Sequence, residues 1–239
     1  MKRHDAFTLT ELLVLVPIIG LVGAVLFASL DSDKQTLQAA QCLSNMRQWG
    51  LAMGMYCNDN HDYIPYEGSA NGVDDSIDLS AWFNVLPRYM NQPRLEDLYT
   101  SSPPNIPLPG QRSIHICPSA PNITHTPTSG APYFSYAMNR VYNGASGHLR
   151  PRSIAALPSQ VIFLSESENN QYPFTDGGFL GQVPPRHSGG MNFVFVDGHA
   201  QWYKLSDYSR TSTEASNPLL EWLTPRALYW YPCRACNKT

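Results

Sequence analysis

Residues 6–30, AFTLTELLVLVPIIGLVGAVLFASL, decide how the rest of the chain is read. From position 12 to position 30 there is no charge, and between Phe7 and Leu30 the only charge is Glu11. As a helix, 7–30 would be about 36 Å long against a hydrocarbon core of about 30 Å, so the segment predicts a transmembrane helix. Pro17, Gly20 and Gly23 would weaken a helix in water and are tolerated in one surrounded by lipid and neighbouring helices. Lys2 and Arg3 before the run predict a cytoplasmic N-terminus and an exported remainder. A cleaved secretory signal fits less well: the run is too long, and Leu26 stands where a small residue is needed for a cut near Ala28. A plain anchor fits the length but leaves Glu11 unexplained, since a carboxylate at the bilayer centre costs about 2.5–3.5 kcal/mol on insertion scales.

Composition narrows the rest. The chain has 239 residues and a formal net charge of −3, with Lys and Arg scattered along it. A clustered basic surface, the electrostatic footprint of nucleic-acid binding, is missing, so no nucleic-acid partner is expected. Twenty prolines, 16 glycines and 13 tyrosines separate short apolar runs and predict a loop-rich head with short strands. The cysteines are Cys42, Cys57, Cys117, Cys233 and Cys236; with an odd number, at least one is unpaired or bonded to another chain.

The opening segment resembles the processing and assembly segment of type IV prepilins and type II secretion pseudopilins. The resemblance rests on a short basic leader, the small residue Ala6, then Phe7-Thr8-Leu9-Thr10-Glu11 and an apolar helix. Ala6 stands where that family usually has glycine. The resemblance implies cleavage between Ala6 and Phe7 by a prepilin peptidase, N-methylation of Phe7 and assembly through the helix. Cleavage would create an amine on Phe7, and Glu11 of a neighbouring copy could neutralise it and fix the axial register.

Beyond this segment, Ala39, Leu43, Met46, Gly50, Met53 and Cys57 recur at helical spacing and predict a helix packed on a core. Residues 58–112 are irregular, with a short helix in 79–90 ended by Pro87. Strands are expected in SIHICPS (113–119), PYFSYAMN (132–139), QVIFLSES (160–167), MNFVFVD (191–197) and HAQWYKL (199–205). Asp197-Gly198 between the last two predicts a hairpin with a two-residue type I′ turn. Phe193 and Phe195 would face one side and Val194 and Val196 the other.

His187, nine residues, then Asp197-Gly198 resembles a prepilin-associated family with an H-x9-DG signature. CLSNMRQWGLAMGMYCNDNHDYIP, ICPSAP, YFSYAMN and PSQVIFLSESEN carry the same likeness, which thus covers most of 7–205. Cys42 and Cys117 lie in two of these stretches and are the first candidates for a disulfide; Cys233 and Cys236 could form a local one. His187, Asp197 and Gly198 are expected to be structural, His187 bonding its loop or a partner such as Glu166 or Glu168. A metal site on His187, Asp197 and His199 would need a convergence the sequence does not guarantee. A Ser-His-Asp hydrolase lacks a G-x-S-x-G elbow. Asn58, Asn60 and Asp62 alternate like calcium ligands, but Tyr63 and Ser69 stand where an EF-hand loop needs Gly and Glu.

The expected fold class is α+β: a long N-terminal transmembrane helix continuing into a pilin-like head with a mainly antiparallel sheet. The expected divisions are a leader (1–6), a transmembrane and assembly helix (7–30), a helical stalk (31–57), the head with the H-x9-DG hairpin (58–205) and a C-terminal extension (206–239). The expected function is that of a pilin-like or pseudopilin-like filament subunit, not an enzyme and with no cofactor. Its expected partners are a prepilin peptidase, other pilin subunits and the membrane. It would sit in the bacterial inner membrane with its head exported, or in a filament at the cell surface. The alternatives are an exported binding module on a membrane stalk and an exported metalloenzyme.

Overall fold

A computed structural model describes residues 9–68, 78–120, 133–142, 151–170, 172–175 and 185–236. Contacts divide the chain into two units, Met1–Gln38 and Ala39–Thr239.

The first unit contains the start of helix α1, Leu9–Asp59, with Pro17 inside it. Here the expectation of a transmembrane helix over 7–30 is corrected: among the described residues, no helix is long and apolar enough to cross a membrane. The described apolar side chains at the start of α1, Leu9 and those over 12–19, are exposed.

The second unit is a mixed α/β fold around a five-stranded sheet of order β3-β1-β2-β4-β5. The strands are β1 Phe134–Asn139, β2 Ile162–Asn170, β3 Phe174–Thr175, β4 Gly190–Phe195 and β5 Ala200–Lys204. β1–β2, β2–β4 and β4–β5 are antiparallel, whereas β1 and β3 run parallel. Side chains alternate across a strand, so β2 and β4 each feed two cores. On one face, Phe163, Val194 and Val196 pack with Cys42, Met46, Trp49, Met53 and Cys57 of α1. On the other, Ile162, Phe193 and Phe195 pack with Tyr208, Leu228 and Trp230 from the C-terminal region.

The buried stripe of α1 is rotated from the expected one. Cys42 and Trp49 are fully buried, whereas Ala39 and Leu43 are only half-buried. Trp49 sets the rotation: it meets Trp82 edge-on at 5.0 Å and donates from Nε1 to the Ile114 carbonyl at 3.0 Å. Such a fully buried aromatic side chain is worth about 3–5 kcal/mol if cut back to Ala.

The strand expected at 113–119 does not form. Side chains of α1 occupy its carbonyls instead: Asn45 donates to Ser113 and Ile116, and Trp49 to Ile114. Pro87 does not end a helix either; after α2 (Trp82–Val85) it sits in the first turn of a 3-10 helix, Leu86–Met90, where its missing N–H costs nothing. Helix α3, Leu95–Thr100, follows.

The C-terminal region contains α4 (Leu205–Tyr208), α5 (Ser212–Ser216) and α6 (Pro218–Glu221). The buried Arg210–Glu221 ion pair, 3.0 Å long, holds it in place. Glu221 also accepts the backbone N–H groups of Trp230 and Tyr231. Every lone pair so used offsets part of the cost of burying the carboxylate.

Candidate functional site

The residues singled out by the H-x9-DG pattern fall at opposite ends of β4. At its start, His187 and Gly190 exchange both backbone hydrogen bonds, at 2.8 and 3.0 Å. Ser188 and Gly189 between them have φ of 49° and 78°. Positive φ at both central residues is the pattern of a type I′ turn. Gly190 must follow, because a Cβ there would lie 2.1 Å from the Tyr203 carbonyl oxygen and 2.6 Å from the Trp202 ring. The Trp202 indole donates to the His187 carbonyl at 2.8 Å.

At the far end, the two-residue type I′ turn expected at Asp197-Gly198 is not formed. Gly198 donates its N–H to the Phe195 carbonyl, which places Val196 and Asp197 at the centre of the turn, and only Gly198 has positive φ, at 93°. This is a three-residue loop closed by a left-handed glycine. The reason lies outside the hairpin. The N–H groups of Val196 and Asp197 are taken by the carbonyls of Val161 and Pro158. Gly50 of α1 also comes so close that a Cβ on it would lie 2.1 Å from the Gly198 oxygen.

The His187 side chain is buried in a polar cluster. Its Nε2 lies 2.7 Å from Oε1 of Glu166 on β2 and 3.6 Å from Sγ of Cys117. Glu166 also accepts from the Asn192 backbone at 3.0 Å and from the Asn192 side-chain amide at 3.1 Å. Cys117 is bonded to Cys42 of α1. Asn45, one turn along α1, donates to the Tyr136 hydroxyl at 3.2 Å. The proximity of Glu166 and burial together push the Tyr136 phenol well above its ordinary range, burial being the larger cause. Arg186 donates to the carbonyls of Ser135 and Ser167, and burial lowers its pKa while the nearby Glu166 raises it. Glu166 thus faces His187 and Arg186, and the cluster joins α1, β1, β2, β4 and residues 113–117.

Asp197 and His199 do not join it. Their side chains meet each other at 2.6 Å, both about 37 % exposed, and His199 stacks on Phe195. The length of β4, about 20 Å at roughly 3.4 Å per residue, separates them from His187. The metal triad weighed from sequence is therefore not assembled. Among the described residues, Cys42, Cys117, Glu166 and His187 bring ligand-type atoms within 4.8 Å of one another, the two sulfurs being joined in the disulfide.

The remaining candidates are placed as follows. Cys233 and Cys236 form a disulfide. Cys57 is free and buried, and burial pushes its thiol up to about 12, out of the range of a reactive thiolate. Asp62 does not turn toward Asn58 and Asn60 as a calcium loop would. Its carboxylate accepts from Arg152 Nε and Ser153 N, both at 2.9 Å. Ala6 and Phe7 lie outside the described residues, as does the side chain of Glu11.

Sequence reasoning missed Asn45, Asn192, Arg186 and the Gly50–Gly198 contact. Only Arg186 carried a signal, a charge next to the singled-out His187; Asn45 and Asn192 look like surface polar residues until the fold buries them. Compared with known proteins, the chain matches no family model, no curated protein and no solved structure.

Proposed function

We propose that this chain is a pilin-like or pseudopilin-like structural subunit, cut between Ala6 and Phe7 by a prepilin peptidase and assembled with copies of itself through the start of α1. One observation carries this reading: a single helix uses its length in two ways. Over 12–19, Leu13, Val16 and Ile19 are 71, 61 and 65 % exposed. Further along the same helix, Cys42, Met46, Trp49 and Met53 are fully buried. A contiguous exposed apolar run is the mark of an interaction surface, and burial at about 25 cal/mol per Å² would make packing between copies favourable. Glu11 would then meet the Phe7 amine of a neighbouring copy and set the register of the filament of a type IV pilus or type II secretion system. The two disulfides support an oxidising, extracytoplasmic setting for the head.

The test is self-association. A photo-crosslinking amino acid at Val16 should give a ladder of covalent multimers of this chain in its native host. Monomer alone, with efficient capture of lipid or unrelated protein, would overturn the reading. Mass spectrometry of the native N-terminus should find methylated Phe7; an intact Met1 would remove the processing step.

A further inference from the structure

We propose that Cys42, Cys117, His187 and Glu166 form a redox-gated metal site, which binds one zinc-class divalent cation when the Cys42–Cys117 disulfide is reduced. The inference is independent of the filament reading.

Three observations carry it. The first is the donor set: two sulfurs, one imidazole and one carboxylate, all buried, is a closed four-ligand set of the structural zinc type. Thiolate ligands favour zinc over the hard cations magnesium and calcium. The second is spacing. Around a tetrahedral zinc, neighbouring ligand atoms sit roughly 3.3–3.8 Å apart, given bonds of about 2.0–2.3 Å. Cys117 Sγ lies 3.6 Å from His187 Nε2, and all the ligand atoms lie within 4.8 Å. To meet that spacing the His187–Glu166 contact of 2.7 Å would have to open by roughly 0.6 Å, and the two sulfurs, bonded to each other in the disulfide, would have to part once it is reduced. The third is support. Asn192 fixes the Glu166 carboxylate with two hydrogen bonds, the outer-shell arrangement that orients a ligand. Two thiolates, one carboxylate and a dication leave one negative charge, and the part-buried guanidinium of Arg186, close enough to feel the Glu166 charge, offsets it.

The chemistry balances as follows. A dithiol reductant delivers two electrons and two protons to the S–S bond, giving two thiols and leaving as its own disulfide. The dication then binds both sulfurs as thiolates and releases the two thiol protons to solvent. Glu166 binds through a carboxylate oxygen. His187, whose Nε2–H faces Glu166 in the oxidised protein, releases that proton to solvent, takes one from solvent on Nδ1 and binds neutral through Nε2. A disulfide oxidant reverses the sequence by thiol–disulfide exchange: it takes two electrons from the two thiolates and two protons from solvent, leaves as a dithiol, and the re-formed Cys42–Cys117 bond releases the ion.

The experiment uses the full chain carrying Cys233→Ser and Cys236→Ser, which removes the other cysteine pair. Zinc is added to oxidised and to reduced protein, and bound metal is counted by native mass spectrometry. One zinc per reduced chain and none per oxidised chain is the expected result. Cobalt in place of zinc should give tetrahedral d–d bands together with thiolate charge transfer. His187→Ala and Glu166→Gln should weaken binding beyond about 100-fold, and Asn192→Ala by about 10–100-fold as an outer-shell partner. Circular dichroism follows folding in parallel. A reduced chain that stays folded and binds no zinc overturns the proposal. So does a reduced chain that unfolds and is not refolded by zinc, and so does binding that survives His187→Ala.

Discussion

The two ends of β4 carry the same pair of groups, an imidazole against a carboxylate, in opposite surroundings. His187 and Glu166 meet at 2.7 Å with side chains 4 and 1 % exposed; His199 and Asp197 meet at 2.6 Å with both 37 % exposed. Near-identical distances therefore say little about what each pair does. Burial decides, because removing water raises both the strength of the interaction and the penalty for losing one partner. The ends also differ in how the chain is held. The start of β4 is fixed by a polar network running to the Cys42–Cys117 bond, and its far end by two glycine backbones in contact.

The largest expected effect tests the buried end. Glu166→Ala strips His187, the Asn192 N–H and the Asn192 amide of their shared acceptor. Breaking a buried pair by removing one partner costs about 3–5 kcal/mol. Urea unfolding should show that loss, and a loss below about 1 kcal/mol would mean that water reaches the cluster and the burial argument fails.

A third histidine sharpens the comparison by taking the carboxylate away. His115 is buried against the Pro93 carbonyl, with Nε2 3.0 Å from its oxygen. Burial pulls its pKa down from 6.5 to about 4, the Pro93 hydrogen bond acting in the opposite direction. The folded value is lower than the unfolded one, so its contribution to stability is complete above about pH 6.5 and is lost as pH falls toward 4. At 1.36 kcal/mol per pH unit this amounts to about 3 kcal/mol. His115→Phe should lose that much less stability than the native chain between pH 7 and pH 4; equal losses would show that His115 stays hydrated.

The far end of β4 is tested by Gly50→Ala. A Cβ on Gly50 would sit 2.1 Å from the Gly198 oxygen and 2.9 Å from a Val194 methyl, and backbone cannot rotate away as a side chain can. Overpacking of this kind costs about 1–3 kcal/mol. Thermal unfolding should register it, whereas Gly54→Ala, with nothing within 4 Å of the added methyl, should be neutral or stabilising.

These elements differ in how far the sequence revealed them. Four of the five expected strand stretches carry a strand, because alternating β-branched and aromatic residues mark such strands directly. The stretch at 113–119 shows the same alternation through Ile114 and Ile116 and stays irregular, since Asn45 and Trp49, some seventy residues away, take its carbonyls. The turn at Asp197-Gly198 was visible as a turn but not as its type, which Val161, Pro158 and Gly50 settle from outside. His187 stood out by spacing, and Glu166 was one of two acids in range. That these two meet beside the Cys42–Cys117 bond is a tertiary fact, fixed by the register that sets Ser165 opposite Phe193. The transmembrane expectation over 7–30 is overturned: among the described residues no helix is long and apolar enough to cross a membrane, and a run of apolar letters does not by itself make a span.

The smallest effect belongs to the exposed pair. Asp197 Oδ1 accepts both the His199 backbone N–H at 3.1 Å and the ring Nδ1. The backbone bond belongs to the turn and survives in Asp197→Asn, which keeps an acceptor oxygen at the same position; the charge does not. Exposed ion pairs contribute about 0–1 kcal/mol and are screened by salt. A double-mutant cycle on Asp197→Asn and His199→Ala should therefore give a coupling below about 1 kcal/mol that shrinks at high salt. The same cycle on Glu166→Gln and His187→Ala should give a larger, salt-insensitive coupling. Equal couplings at the two ends would mean that distance, not burial, governs both pairs.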